Sequence, residues 1–538
     1  MTIAGMLRAR ADGAEADQVG IRFLERGSWI ELSWREYWTA AEMAAASFIE
    51  LGVRPGEHVL VLVPDVRHAV TALFGLWTIG AVPIQIGLPF ATQNRAEFLA
   101  GLAGTAARLN ASFLLTTAAI QASSDFGSLR VLSTSDLSIG GKAPDPDAVQ
   151  GTAFIQLTSG STSRPRGVVV PHDRLMIHMQ SMSDCLPSHS ESNGVSWLPL
   201  NHDMGLLGGL LFPFYNGFPA HMIATADFQA RPGVWLETMS RFRGTIAAAP
   251  RSAYALCVQL ASRLLKQGLD LSPWECAMIG AEPIPAALLR RFAEAFAPAG
   301  FRANAFFPVY GLAEATVAVT FPGLLAETRF DSVSRSALAH RSIAQPACES
   351  EDCVIFTGVG KPISRTDVRI GESLPERVVG EVLVRSESLA LGYYGDPDET
   401  AAAFRDGWLH TGDLGYIADG ELFITGRKKE LIIKGGQNLI PSVLEEIAGT
   451  VPGLRAGAVA AVGLHSKELE TEMVCIVAET RLEAAEHPAL IECVRLALKS
   501  KGVVVDKVVL VAPKSLPKTT SGKLQRLAIA KMMAERFA

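Results

Sequence analysis

Through the first 320 residues, short runs of Val, Ile and Leu alternate with longer segments of helical period, and this alternation constrains the fold more than any other feature. A strand buried on both faces reads as a continuous apolar run, and its parallel partner is reached only through a long crossover, usually a helix. The pattern therefore predicts parallel sheets covered by helices. In chain order it reads as strand 58–63, helix 66–79, strand 82–86, helix 97–109 and strand 113–117. It resumes with helix 174–184, strand 195–198, helix 234–242, strand 245–249, and helices 252–266 and 286–297. This is a doubly wound α/β body.

From about residue 354 to 424 the spacing changes to short β runs (368–370, 382–384, 421–424) separated by Gly, Pro and Asp, which predicts a smaller β-rich unit. A third region, 427–538, holds strand-like runs at 458–462, 473–478 and 507–510 with helices at 442–447 and 489–498, an α+β unit of ordinary domain size. The expected organisation is a large N-terminal domain, 1–426, made of the α/β body (about 1–353) and the β-rich subdomain (about 354–426). A small C-terminal α+β domain, 427–538, follows it.

Charge separates the same regions. From Arg427 onward there are 17 Lys and Arg against 12 Asp and Glu, although the whole chain carries a net charge of −6. A basic end piece on an acidic body suits an anionic ligand or partner as well as a plain solvated surface. No stretch approaches the roughly 20 apolar residues of a membrane span, and the start of the chain lacks the apolar core of a secretory signal. A cytoplasmic location is the expectation, with no nucleic-acid partner. The seven cysteines are odd in number and mostly sit in apolar segments, which reads as reduced thiols rather than a disulfide framework or a metal set.

Chemistry concentrates in a few segments. Phe154-Ile-Gln-Leu-Thr-Ser-Gly-Ser-Thr-Ser-Arg-Pro-Arg-Gly-Val-Val-Val170 is a loop of hydroxyls, glycines and arginines between two apolar runs. Close backbone approach, hydroxyl and amide donors and the fork of Arg166 would wrap oligophosphate oxygens at Thr158, Ser159, Gly160, Ser161, Thr162 and Arg166. Read alone, such a loop is as readily a flexible turn, and it lacks the spacing of a Walker loop. Three further segments are Tyr310-Gly-Leu-Ala-Glu-Ala-Thr316, Gly407-Trp-Leu-His-Thr-Gly-Asp-Leu-Gly415 with Gly426-Arg-Lys-Lys-Glu430, and Pro517-Lys-Thr-Thr-Ser-Gly-Lys-Leu-Gln-Arg526.

In this order the four segments resemble the motif series of the adenylate-forming superfamily, which includes acyl-CoA synthetases, luciferases and nonribosomal peptide adenylation domains. Trp197-Leu-Pro-Leu-Asn-His-Asp-Met-Gly-Leu206, Gly280-Ala-Glu-Pro283 and Tyr310–Thr316 resemble most the fatty acyl-AMP ligases, which pass acyl adenylates to carrier proteins instead of coenzyme A. About forty residues separate Thr316 from Gly358, more than a tight connection needs, and the polar stretch 326–352 is the candidate for the insertion that this branch associates with hindered transfer to coenzyme A.

The resemblance implies ATP and Mg²⁺ as cofactors, an apolar carboxylic acid as substrate, and a carrier protein or a polyketide or nonribosomal peptide synthase as partner. It makes Lys523 the adenylation lysine and Glu314 the carboxylate that holds Mg²⁺ against the phosphates. Asp413 and Arg427 become the ribose-binding pair, and Gly280, Ala281, Glu282, Tyr310 and Gly311 the adenine slot. His202 and Asp203 would lie by the acyl entrance, although a capping or core histidine fits the same residues. Trp197, Leu206 and Leu207 are candidates for the acid pocket and equally for plain core. Lys429 occupies the hinge position that would let a mobile end domain rotate. Ser163 and Arg166 stand where the superfamily has Gly and Lys; Glu430 replaces the usual Asp, and Gln437 an Arg common in acyl-AMP ligases. An acyl- or aryl-CoA synthetase and a non-catalytic nucleotide- or acyl-binding protein are the alternative readings.

Overall fold

The computed structural model describes residues 2–88, 95–137, 144–146, 151–158, 165–348, 352–466, 471–518 and 523–537, without the side chains of residues 456 and 466. Its body is built on two sheets. The larger has seven strands in the order Phe306–Pro308, Cys276–Ile279, Ile246–Ala249, Gly194–Ser196, Ala220–Met222, Val19–Glu25 and Ser28–Ser33. All its pairings are parallel except the last, the hairpin whose turn places Arg26 and Gly27 at positive φ. The second sheet is wholly parallel: Val82–Gln85, His58–Leu62, Ala111–Thr116 and Arg130–Ser133.

The helices between these strands follow the apolar periodicity closely. Val66–Thr78 is capped by the Asp65 carboxylate on the His68 amide and buries Val70, Leu73, Phe74 and Trp77. Trp34–Glu50 begins with a reciprocal Ser33–Glu36 capping box. The segment expected as one helix over 97–109 is instead two, Arg95–Ala100 and Leu102–Arg108, divided at Gly101, one of two glycines that weaken helix propensity there, the other, Gly104, lying inside the second helix. The apolar run after the strand at 194–196 forms a π-helical stretch, Met204–Leu211. A Cβ on Gly205 would lie 2.2 Å from the Pro199 carbonyl oxygen, so only glycine lets this wide helix press against the strand end.

The phosphate-loop candidate lies between two strands, Thr152–Thr158 and Arg166–Pro171, which pair antiparallel with Thr158 opposite Arg166. An apolar strand, not a helix, follows the loop. The β-rich unit is a five-stranded antiparallel sheet built around the long strand Trp408–Ala418, which pairs on one side with Gly380–Ser386 and elsewhere with Phe404–Arg405 and Glu421–Arg427; Thr366–Ile370 completes it. Its Val382, Leu409 and Leu422 share the main core with the body.

The described part of the polar stretch, 326–348 and 352, is structured. Phe330–Ser334 pairs antiparallel with Cys353–Thr357, and the helix Arg335–Arg341 follows the first of these strands. Val333, Leu338, Ala344, Val354 and Phe356 pack with Tyr416, Phe423 and Ile440, so this segment touches both the β-rich sheet and the start of the end unit.

That small C-terminal unit has cores of its own. Leu454–Ser466 pairs antiparallel with Thr471–Thr480, which pairs parallel with Lys507–Val511, and the helices Pro441–Gly449 and His487–Lys499 pack with them around Leu444, Val459, Ile476 and Val494. The terminal helix Arg526–Phe537 sets Ile529 and Met533 into a second cluster with Val462 and Val477. All seven cysteines are free thiols. Among the described residues no helix is long and apolar enough to cross a membrane.

Candidate active site

Ligands of open parallel sheets collect at the carboxyl ends of the strands, and the predicted residues gather there. Gly280, Ala281 and Glu282 leave the end of Cys276–Ile279, and Tyr310 and Gly311 leave the end of Phe306–Pro308, its parallel neighbour. Ala281 has φ +67°, a left-handed conformation that a non-glycine residue adopts at a cost of about 1 kcal/mol or more. A Cβ on Gly311 would lie 1.7 Å from the Val317 carbonyl oxygen, so this turn closes only on glycine.

Asp413 organises one wall. It is 5% exposed, on the long strand of the β-rich sheet and directly opposite Arg427 in the neighbouring strand. Its Oδ1 accepts from Arg427 Nε at 2.8 Å and its Oδ2 from the Tyr310 hydroxyl at 2.8 Å. The carboxylate holds the Arg427 guanidinium firmly protonated, against the effect of burial. Burial, with Asp413 alongside, pushes the Tyr310 phenol far above its ordinary range, so it remains a donor. A carboxylate has about four acceptor sites, and these two bonds leave room for ribose hydroxyls.

Glu314 forms a second wall on the one-turn 3₁₀ helix Ala313–Ala315. Its Oε1 accepts from the Tyr393 hydroxyl at 2.7 Å, and its backbone carbonyl accepts from the Ala390 amide at 3.0 Å. Arg166 lies 2.9 Å from Glu399 Oε2, with its guanidinium carbon 4.9 Å from the Tyr393 ring centre. Thr158 is half-buried across the strand pair from Arg166. Ser159, Gly160, Ser161 and Thr162, expected to cradle phosphates, lie outside the described residues.

Asp203 caps the π-helical stretch by accepting from the Met204 amide at 2.8 Å, and it lies 2.7 Å from His202 Nδ1. Burial by itself raises the Asp203 carboxyl, but His202, the Met204 amide and Lys523 outweigh it and hold the group below the ordinary carboxylate range. Capping and proximity to the lysine thus coexist in one carboxylate.

Lys523 comes from the end unit, on a turn closed by the Gln525 amide donating to the Pro517 carbonyl and by the Lys518–Leu524 bridge. Burial lowers its pKa; the body carboxylates Glu282 and Asp203 oppose that, Arg427 lowers it further and Asp413 raises it. The ammonium is thus surrounded by groups of the body. Glu282, whose side chain is 10% exposed, lies 3.2 Å from Arg251 Nε, and its Oε2 is buried without a hydrogen-bond partner.

The remaining candidates are placed differently. Trp197 stacks on Phe228 at 3.6 Å between ring centres, and Leu206 and Leu207 are fully buried; all three belong to the main core. Lys429 is exposed on a short 3₁₀ turn, with no ion pair among the described residues. Its neighbour Glu430 is tied to Arg526 at 2.8 Å, and the same guanidinium makes two bonds to Glu445, at 2.7 and 2.8 Å.

Sequence reasoning did not find Tyr393, Glu399 or Arg251. The first two flank Asp396-Pro397, a visible helix-start signal, but nothing local ties that turn to Glu314, 79 residues earlier.

Comparisons with known proteins place the whole chain in a family. The sequence pattern described as "AMP-binding enzyme" matches residues 8–394. A putative acyl-CoA synthetase of Caulobacter vibrioides is 33% identical over 532 residues, covering 96% of this chain and 93% of the relative. A medium-chain-fatty-acid acyl-carrier-protein ligase of Moorena producens is 32% identical, covering 94% and 90%. A solved structure from work on fatty acyl-adenylate ligases of E. coli and L. pneumophila superposes with a TM-score of 0.90 at 31% identity, covering 100% of this chain and 98% of its own.

Proposed function

The chain belongs to the AMP-binding enzyme family, AMP-forming ligases that use ATP, and on that premise we propose that it activates a fatty or related apolar carboxylic acid as its acyl adenylate and then passes the acyl group to a carrier-protein thiol. The single observation that carries this reading is the arrival of Lys523, borne by a separate unit, among Glu282, Asp203 and Asp413 of the body.

In the first half-reaction a substrate carboxylate oxygen attacks the α-phosphorus of ATP. The bond from that phosphorus to the bridging oxygen of the β-phosphate breaks, and pyrophosphate leaves with the electron pair. Two anions must be brought together, and negative charge grows on the oxygens in flight, so the step needs a cation placed beforehand between acid and α-phosphate. Lys523 meets that need. Asp413, fixed by Tyr310 and Arg427, orients the ribose, and Arg166 engages the distal phosphates through two parallel donors.

Glu314 suits Mg²⁺ as a hard oxygen ligand. Among the described residues no three His, Cys, Asp or Glu side chains converge on one point, so Glu314 would be the carboxylate by which the protein holds the ion, as Mg²⁺ commonly takes one or two carboxylates beside substrate phosphates. When bound, the ion neutralises phosphate charge.

In the second half-reaction a thiol sulfur attacks the acyl carbonyl and AMP departs. This reading places the domain boundary at residues 426 and 427, with Lys429 as the hinge, so that the end unit withdraws Lys523 and admits the thiol. A carrier protein is favoured as acceptor by the 32% identical acyl-carrier-protein ligase and by the candidate insertion, whose described residues 330–348 hold a strand and a helix. That segment bonds the end unit through Asn438 Nδ2 donating to Ser342 Oγ at 3.1 Å and Lys501 Nζ donating to Asp352 Oδ1 at 3.0 Å. The relative named as a putative acyl-CoA synthetase favours coenzyme A. Purified protein given ATP, Mg²⁺ and a panel of fatty acids is expected to release pyrophosphate and to load a carrier protein faster than coenzyme A. Absence of pyrophosphate across fatty, aromatic and amino acids removes the whole reading; preference for coenzyme A removes only the acceptor.

A further inference from the structure

We propose that Tyr393 is a positioning residue that couples the two phosphate-facing groups of the site, its hydroxyl fixing the Glu314 carboxylate and its ring fixing the Arg166 guanidinium. The proposal rests on the reading of Glu314 and Arg166 as phosphate-site groups.

The two groups lie on different elements. Glu314 is on the turn after the central sheet, whereas Arg166 opens the strand after the phosphate-loop candidate. The segment 388–394 runs between them and bonds to both. On one side Leu391 N donates to Val169 O at 2.9 Å, Val169 N to Gly392 O at 3.0 Å and Tyr394 N to Gly167 O at 2.8 Å, extending the Arg166–Pro171 strand. On the other side Ala390 N donates to Glu314 O at 3.0 Å, and Thr316 Oγ1 to Ser388 O at 2.5 Å. Tyr393 is thereby the point at which one side chain reaches both neighbours.

Each half of that side chain has its own task. The hydroxyl donates to Glu314 Oε1, which turns the carboxylate and leaves Oε2 as the oxygen to meet a phosphate-bound cation. The ring face lies 4.9 Å from the Arg166 guanidinium carbon, a cation–π distance. Glu399 Oε2 holds the same guanidinium at 2.9 Å, so Arg166 is gripped by a ring and a carboxylate before any anion arrives. The backbone of Tyr393 is anchored independently, through its amide donating to Thr400 Oγ1 at 2.9 Å, and the side chain is 8% exposed.

A pair of variants separates the two tasks. Tyr393→Phe keeps the ring and removes the hydroxyl; Tyr393→Leu removes both. The probe is α,β-methylene-ATP, which cannot be adenylated, titrated calorimetrically with and without Mg²⁺. Loss of a group that orients a metal ligand costs about 10- to 100-fold in metal affinity. Tyr393→Phe is therefore expected to lose about tenfold of the Mg²⁺-dependent gain in binding, with the Mg²⁺-free affinity nearly unchanged. Tyr393→Leu is expected to weaken Mg²⁺-free binding as well, because Arg166 loses its platform. Equal binding by wild type and Tyr393→Phe in both conditions overturns the proposal, as does a uniform loss in both, which is the mark of a merely structural tyrosine. Glu314→Gln is the control for the underlying reading. If it leaves the Mg²⁺-dependent gain intact, the assignment of Glu314 fails and the proposal with it; if it abolishes the gain while Tyr393→Phe does not, Tyr393 alone is excluded.

Discussion

The nucleotide-facing wall of the body and the end unit that delivers Lys523 hold their charged groups in opposite ways. In the body the charged side chains are tied by short contacts: Asp413 by Tyr310 and by Arg427 at the start of the end unit, Glu314 by Tyr393, Asp203 by His202 and the Met204 amide. The lysine instead reaches the site from a unit with separate cores, and Glu282, Asp203 and Asp413 of the body act on its charge there together with Arg427. Among the described residues the end unit meets the 326–352 segment through Lys501 with Asp352, Asn438 with Ser342, Gln437 with His340, and Ile440 set against Val333 and its neighbours. A preorganised cradle lowers the cost of binding nucleotide, whereas a lysine carried on a unit with its own cores can be withdrawn without dismantling them.

The contrast is broken most directly at the lysine. Lys523→Ala should lower pyrophosphate-dependent ATP exchange by about 100- to 1,000-fold, the cost of removing one preorganised electrostatic group, while melting at the wild-type temperature. Transfer from a supplied acyl adenylate to the thiol should continue. Near-normal exchange would mean that the body completes the first half-reaction by itself.

Acid should weaken the body selectively. Burial depresses His178 and His221 to about 3 and His172 to about 4, and all three lie in the body. Their folded pKa values are below the unfolded value near 6.5, so the unfolded chain binds more protons. Stability is fully present above pH 6.5 and falls as pH drops toward 4, by about 1 kcal/mol per pH unit for each histidine. All eight tryptophans precede Arg427, so denaturant midpoints followed by tryptophan fluorescence between pH 7 and 5 report this unit. A midpoint flat across that range would show that these histidines are protonated in the folded body.

A smaller effect is expected within the cradle. Asp413→Asn keeps the shape but loses the charge that fixes Arg427, and nucleotide affinity measured by calorimetry should fall about tenfold, the weight of one charge-assisted bond of 1.5 to 3 kcal/mol partly replaced by a neutral one. An unchanged affinity would separate Asp413 from the ribose. The smallest effect belongs to the tether: Lys501→Ala removes a half-exposed ion pair with Asp352, leaves the Arg335–Asp352 pair in place and should cost under about 1 kcal/mol, yet raise amide exchange in residues 487–499. No change in exchange would mean that the remaining contacts, among them Asn438 with Ser342 and Ile440 with its apolar neighbours, hold the end unit without this pair.

Much of this was legible in the residues. Strands at 58–62, 82–85 and 246–249 and helices at 66–78 and 251–265 stand within a residue or two of their periodic signals, because their burial repeats with the period of the backbone. The break at Gly101 was missed, since the apolar pattern continues across it. The strand and helix within the 326–352 candidate insertion carry little signal in the sequence, because its polar residues outnumber the three, Val333, Leu338 and Ala344, that enter the core beside Tyr416 and Phe423. Tyr393 carried no signal, because its task depends on Glu314, 79 residues away.

The residues alone determined the alternating architecture and the order of the motif segments, since periodicity and local chemistry are properties of short stretches of chain, and the resemblance of those segments singled out Lys523, Asp413 and Glu314 as candidates. Only the tertiary structure decided which groups hold them. Tyr310 meets Asp413 across 103 positions and Arg166 is gripped by Tyr393 and Glu399 across more than 220, and contacts of that separation are set by how the sheets close on one another. For the same reason the 326–352 segment became a structured link between two units: its few apolar residues acquire a partner only once the β-rich sheet and Ile440 are in place.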